Sequence, residues 1–138
     1  MKPKVIERFW SKVARRGPDE CWLWLASKTG KGYGTFHDDP SQLLAHRIAY
    51  ELAKGPIPAG LQIDHLCRNR ACCNPVHLEA VSCRENILRG SGLAAQHARA
   101  THCPKGHPYD EENTYHAANG SRGCKRCIAE RNRRWKSR

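Results

Sequence analysis

A chain of 138 residues allows one domain, or one small domain with an appended module. Its 24 Lys+Arg against 13 Asp+Glu give a formal charge of +11. That surplus fits a polyanionic partner, because neutralising phosphates releases counterions. The sequence has no apolar run long enough for a membrane helix, and MKPKVIERFWSKVARRG has no signal-peptide core. A soluble, cytoplasmic protein acting on nucleic acid and not on membranes is expected. Eight cysteines would suit a secreted disulfide scaffold, but without a secretion signal thiols stay reduced. They also travel with eight histidines in short-spaced clusters, as metal ligands do.

In VIERFWSKVARRG, apolar residues at Val5, Ile6, Phe9, Trp10 and Val13 have helical spacing, closed by Gly17-Pro18. CWLWL (21–25) reads as a strand, SKTGKGYG as a turn and YGTFH as the returning strand of a β-hairpin. SQLLAHRIAYELAKG (41–55) reads as an amphipathic helix with Leu43, Leu44, Ile48, Ala49 and Leu52 on one face. Ser41 is its N-cap and Gly55 its end. GPIPAG is a stiff connector to LQID (61–64), a strand that runs into IDHLCRNRACCNPVHLE (63–79).

Within that stretch Asp64-His65 ends the strand. Adjacent strand residues point to opposite faces, so the two serve one site only where the strand ends or twists. Asn74-Pro75 is a helix-start pair that puts His77 in the first turn, where the positive helix end favours a neutral ring. A carboxylate and a neutral imidazole can hold a divalent cation while a second histidine deprotonates water. This is minimal equipment for metal-assisted phosphodiester hydrolysis. HLEAVS holds a few extended residues, and SCRENILRG reads as a helix capped by Ser82 with Glu85 three later.

SGLAAQHARAT is expected to be a linker (91–101) or a short exposed helix, dividing a core of 1–90 from a module of 102–138. The module contains Cys103-x3-His107 and, sixteen residues on, Cys124-x2-Cys127. Two ligand pairs brought together by a hairpin are how a tetrahedral Zn²⁺ is closed. His102 and His116 are the alternatives to His107 as the fourth ligand. With few large apolar side chains, metal binding must supply much of the folding free energy. From residue 97 onward ten Lys/Arg face four acids, and KRCIAERNRRWKSR reads as a basic helix. Lys125, Arg126, Arg131, Arg133 and Arg134 are its candidate phosphate contacts.

LQIDHLCRNRACCNPVHLEAVSCREN closely resembles the HNH endonuclease family, in particular the variety of phage genomes related to homing endonucleases. CWLWLASKTGKGYGTF, LLAHRIAYELAKGPIP and CPKGHPYDEENTY…CKRC resemble it too, so the likeness covers nearly the whole chain. The resemblance implies an α+β fold: a small ββα-metal (HNH, His-Me finger) core stapled by zinc, with the C-terminal zinc module and basic helix appended. It implies that His65 is the general base and that Asp64 and His77 ligate a catalytic Mg²⁺, Mn²⁺ or other divalent transition metal. Asn74 would hold the loop and help to orient His65. Products would carry 5′-phosphate and 3′-hydroxyl ends. His46 and Arg47 in AHR also match; at most one of these helical neighbours sits in the core, and Arg47 is a candidate phosphate contact with Arg68 and Arg70.

A second zinc ion is expected from Cys21, Cys67, Cys72 and Cys83, with soft thiolates taking zinc and the carboxylate taking the harder ion. Cys73 is left spare, although 72 and 73 can be exchanged. A three-cysteine site completed by a histidine, His77 included, is the alternative. Double-stranded DNA is the expected partner. Homodimerisation, phage packaging proteins and the role in homing or restriction stay open. The rival reading is a non-catalytic zinc-dependent DNA-binding regulator.

Overall fold

The computed structural model describes residues 1–137, which divide into two compact units, Met1–Arg89 and the residues from Gly90 onward. Pro3 opens helix α1 (Pro3–Trp10), at a position where its missing N–H is not needed. The helix stops short of Val13 because Val13–Ala14 (β1) pairs antiparallel with Leu23–Trp24 (β2). It buries Phe9 against Trp24 and Phe36, with ring centroids 5.3 and 5.5 Å away. These three rings, with Ile48, Ala49 and Leu78, form the core of the first unit.

The hairpin expected between 21–25 and 33–37 exists only as one bridge, Lys28 to Gly34. Its arms take other partners: β2 pairs with β1, and Thr35–Asp38 (β3) pairs with Ser41–Leu44 (β4). Strand pairing overrides the helical pattern of SQLL, so α2 (Ala45–Lys54) starts at Ala45 without a Ser41 cap. Instead the Ala45 N–H donates to Gly34 O (2.9 Å). A Cβ on Gly34 would lie 2.6 Å from the buried Trp24 indole and 3.0 Å from Ala45 Cβ, so only glycine lets the chain pass. At the far end of α2, Gly55 takes φ +90° and closes onto Glu51 O, a left-handed stop that favours glycine.

Leu61–His65 (β5) and Leu78–Ser82 (β6) form an antiparallel pair in which Asp64 faces Glu79 and His65 faces Leu78. The helix expected after Asn74 is a single 3-10 turn, Pro75–His77, because the chain from Leu78 onward is taken up by β6. Cys83–Arg89 (α3) packs on both strands; Ser82 Oγ accepts from Glu85 N, and Asn86 donates to Gln62. β5, β6 and α3 make the expected ββα core.

The second unit holds α4 (Leu93–Arg99), the hairpin of β7 (Thr114–His116) and β8 (Arg122–Cys124), and α5 (Lys125–Lys136). Arg122 ties it together, donating to the carbonyls of His97 and Ala100 and lying 4.2 Å over the Tyr109 ring. Its buried side chains among the described residues are Ala95, Cys103, Asn113, Thr114 and Cys124, none of them large and apolar. Among the described residues no helix is long and apolar enough to cross a membrane.

Candidate active site and metal centres

His65, the last residue of β5, is 6 % exposed, and its Nε2 lies 3.2 Å from the carbonyl oxygen of Cys72. Its ring packs against His46 of α2, centroids 4.7 Å apart, and against Tyr33 at 6.0 Å. His46 is itself buried, and its Nδ1 is the one buried side-chain polar atom among the described residues with no hydrogen-bond partner. Burial pushes His46 down to about 3 and also lowers His65, so both rings are neutral near pH 7. Tyr33, which the sequence reading passed over, is covered by Arg70, whose guanidinium lies 5.4 Å from the ring and donates to Lys31 O.

Asp64, the residue before His65 at the end of β5, is buried and held by two guanidiniums. Its Oδ1 accepts from Arg68 at 2.9 Å and its Oδ2 from Arg89 at 3.4 Å. Arg89 also bridges Glu79 (2.5 Å) and Glu85 (2.6 Å), so one guanidinium gathers three carboxylates. Arg68 sits at φ +59° in the turn that follows β5, an uncommon conformation for a residue with a Cβ. Arg89 was not singled out from sequence; its i, i+4 relation to Glu85 was visible, its reach to Asp64 was not.

The chain after β5 is tied to β2. Trp24 N donates to Ala71 O and Cys73 N to Trp22 O, and Leu23 bridges Cys72. This pairing carries Cys21 to Cys67 and Cys72, a proximity that no local spacing signals. The fourth group is His77: the donor atoms of Cys21, Cys67, Cys72 and His77 all lie within 4.8 Å of one another. His77 Nδ1 is 3.7 Å from Cys21 Sγ and 3.5 Å from Cys72 Sγ, while its Nε2 lies 3.1 Å from Asp19 O. A carbonyl can only accept, so Nε2 carries the proton and Nδ1 keeps its lone pair for a metal.

Two expectations change here. Cys83 is exposed at the start of α3 and lies outside the group; the five residues of β6 carry it roughly 17 Å along the strand. His77 faces the cysteines and does not join Asp64, because the 3-10 turn points it back towards the segment before Cys21. Asn74, fully buried, holds that arrangement: its amide donates to Pro18 O (2.8 Å) and Glu20 O (2.7 Å) while its Oδ1 accepts from Val76 N. The hydrogen-bond partner of His65 is the Cys72 carbonyl and not Asn74. Cys73 is buried in the core, its thiol pushed up to about 12 by burial and by Cys72, and is inert.

In the second unit Cys103, His107, Cys124 and Cys127 come together as their spacing predicts. His107 Nδ1 lies 3.5, 3.5 and 3.4 Å from Cys103, Cys124 and Cys127, and the Cys103 and Cys127 sulfurs are 3.7 Å apart. A tetrahedron with Zn–S of about 2.3 Å and Zn–N of about 2.0–2.1 Å has edges near 3.6 and 3.8 Å, so both groups have the size of a zinc cage. Each can hold zinc. Asn113 buttresses the second one by donating to Cys124 Sγ (3.3 Å) and Pro108 O while accepting from Arg126 N at the start of α5.

Of the expected phosphate contacts, Arg68 and Arg70 are exposed on the loop after β5, and Arg47 is half-buried on α2. Lys125, Arg126, Arg131, Arg133 and Arg134 are exposed on α5.

A family model of HNH endonucleases matches residues 43–88, which run from β4 to α3 and include the ββα core. The chain is 43 % identical over 75 residues to the uncharacterized gene 5.3 protein of Enterobacteria phage T3, covering 54 % of this chain and 68 % of the relative. It is 32 % identical over 68 residues to protein 7.7 of Escherichia phage T7, covering 49 % of this chain and 52 % of that protein. To protein 2.8 of the same phage it is 32 % identical over 88 residues, covering 62 % and 56 %. The chain thus spans about half the length of the two T7 relatives. No solved structure matches. The chain belongs to the HNH endonuclease family.

Proposed function

We propose that this protein is a divalent-metal-dependent endonuclease that hydrolyses phosphodiester bonds of double-stranded DNA, with His65 as general base. One observation carries the reading: a buried, neutral imidazole at the end of β5 rests its Nε2 on a main-chain carbonyl, one residue from a buried carboxylate. The carbonyl fixes the tautomer, so the lone pair of His65 is on Nδ1, the atom that takes a proton from the attacking water. Burial keeps the ring unprotonated before the step, while the Cys72 carbonyl and Asp64 favour the imidazolium that forms.

Asp64 is the residue that would hold the catalytic Mg²⁺, Mn²⁺ or other divalent ion. A hard carboxylate fits this role, since Mg²⁺ is commonly held by one or two carboxylates with water and substrate phosphates completing the shell. When bound, such an ion supplies charge stabilisation at phosphorus and at the leaving 3′ oxygen, giving 5′-phosphate and 3′-hydroxyl ends. Arg68 and Arg89 hold the carboxylate in place, and Arg68, Arg70 and Arg47 offer cations to the DNA backbone. The two Cys₃His groups are structural zinc sites in this reading. Similarity to phage proteins supports action inside a phage-infected bacterial cell.

The commitment of His77 to the cysteines favours one second reading, a zinc-dependent DNA-binding regulator without catalysis. A supercoiled-plasmid assay separates the two, using protein with its zinc retained and Mg²⁺ or Mn²⁺ added or withheld. The nuclease gives metal-dependent open-circle or linear DNA. His65→Ala lowers that rate about 10²- to 10⁴-fold, with plasmid affinity within about twofold of wild type. Tight, salt-sensitive binding with no cleavage under any metal selects the regulator.

A further inference from the structure

The sequence makes α5 a basic helix, and its cations are not evenly matched around it. On one flank, Lys125, Arg126 and Ala129 line a hollow together with Asp110 and Glu112. On the other, a groove of about 460 Å³ is lined by Tyr115, Lys125, Ile128, Ala129, Arg131 and Asn132, with no acid among them. Ile128, Arg131, Asn132 and Trp135 follow one another at i, i+3, i+4 and i+7 and therefore share this stripe of the helix. Trp135, one turn beyond the groove, is 78 % exposed, and Tyr115 is 50 % exposed.

The floor of the groove is built for an aromatic face. Tyr115 of β7 pairs across the hairpin with Gly123 of β8. A Cβ on Gly123 would lie 3.3 Å from Ile128 Cδ1 and 3.9 Å from Tyr115 Cδ1, so the bare strand lets the ring settle beside Ile128. Two exposed aromatic rings, an Arg and a Lys for phosphate, and an Asn amide are the components of a stacking platform. Stacking on such rings is sequence-tolerant because every base has a π-face, and cations alongside track the backbone. A duplex keeps its base faces covered by their neighbours; an unpaired strand offers them.

We propose that the Tyr115–Trp135 groove binds unstacked nucleobases, so that the second unit recognises single-stranded DNA by its bases as well as its charge. This rests on DNA being the partner, as argued above, but not on cleavage. The test is fluorescence anisotropy on the zinc-loaded full chain without added Mg²⁺ or Mn²⁺. The probes are a labelled oligothymidylate of about 12 nucleotides and an abasic strand with the same number of phosphates.

The oligothymidylate is expected to bind at least about tenfold more tightly than the abasic strand. Tyr115→Ala and Trp135→Ala should each weaken the oligothymidylate about 5- to 100-fold and leave the abasic strand unchanged, with Trp135→Phe restoring most of the loss. Zinc content, measured on each variant, reports that the unit remains folded; both side chains are exposed, so it should not move. Equal affinity for the two strands, or variants that weaken both alike, would overturn the proposal. A protein that cuts no plasmid yet shows the base-dependent difference would keep this groove and lose the nuclease; the reverse pattern would do the opposite.

Discussion

Burial pushes His46 down to about 3, with the charges of His65 and Arg47 acting in the same direction, whereas an unfolded chain titrates near 6.5. Below pH 6.5 the unfolded state therefore binds a proton that the folded state refuses. Stability from this ring is complete above pH 6.5 and is lost as pH falls towards 3, by up to about 1.4 kcal/mol per unit. Between pH 7.0 and 5.5 the loss should be about 1 kcal/mol. His46→Phe keeps the ring that packs on His65 and removes both the titration and the unpartnered Nδ1. Denaturant unfolding at the two pH values, with zinc in excess, should show the wild type losing about 1 kcal/mol more than the variant. Equal losses would mean that His46 is not the acid-sensitive group. The sequence marked His46 by resemblance alone; its burial beside His65 depends on how α2 packs over β5, which no short pattern encodes.

The stapled loop between β5 and β6 is where local reading and tertiary contact part company. Cys67-x4-Cys72 and the DH pair were legible because their partners are a few residues away. The sequence expects Cys21 in that cage with no local spacing to support it and offers His77 only as an alternative, since what brings Cys21 to the loop is the pairing of the β2 backbone with residues 71–73, about fifty positions downstream. Ser41–Leu44 carries a helical pattern yet forms a strand for a related reason: β3, a neighbour in space, claims its hydrogen bonds. The two candidate ligand sets give opposite outcomes. Cys83→Ser should leave zinc content unchanged, whereas His77→Ala should weaken or empty the first cage, removing close to one zinc per chain. His77→Ala should also slow plasmid cleavage without touching a catalytic group, because Cys72 carries a cage thiol on its side chain and the His65 acceptor on its carbonyl. Metal analysis in which Cys83→Ser loses the ion would restore the four-cysteine set.

At the scale of the molecule, each cage draws all four ligands from its own unit, so the two should fail separately. The first unit has a core of packed aromatic rings to fall back on; the second buries no large apolar side chain among its described residues. Burying a Leu- or Phe-sized group is worth about 1.5–3 kcal/mol, and a unit without any would depend on its hydrogen bonds and on zinc bound at its Cys₃His group, as proposed above. Cys124→Ser removes a ligand that is also the N-cap of α5 and the partner of Asn113. It should drop zinc from two ions per chain to one and cost the helical circular dichroism of α5, while the thermal transition of the first unit stays in place. The net charge of +6 carried by the residues from 97 onward is covalent and survives unfolding. The salt dependence of DNA binding should therefore persist, because it counts the phosphates neutralised and not the fold that presents the cations. What should disappear is any preference for bases over bare backbone, which needs Tyr115 and Trp135 held on one face. A variant that lost its salt dependence along with its zinc would show that an ordered α5, and not charge alone, makes the phosphate contacts.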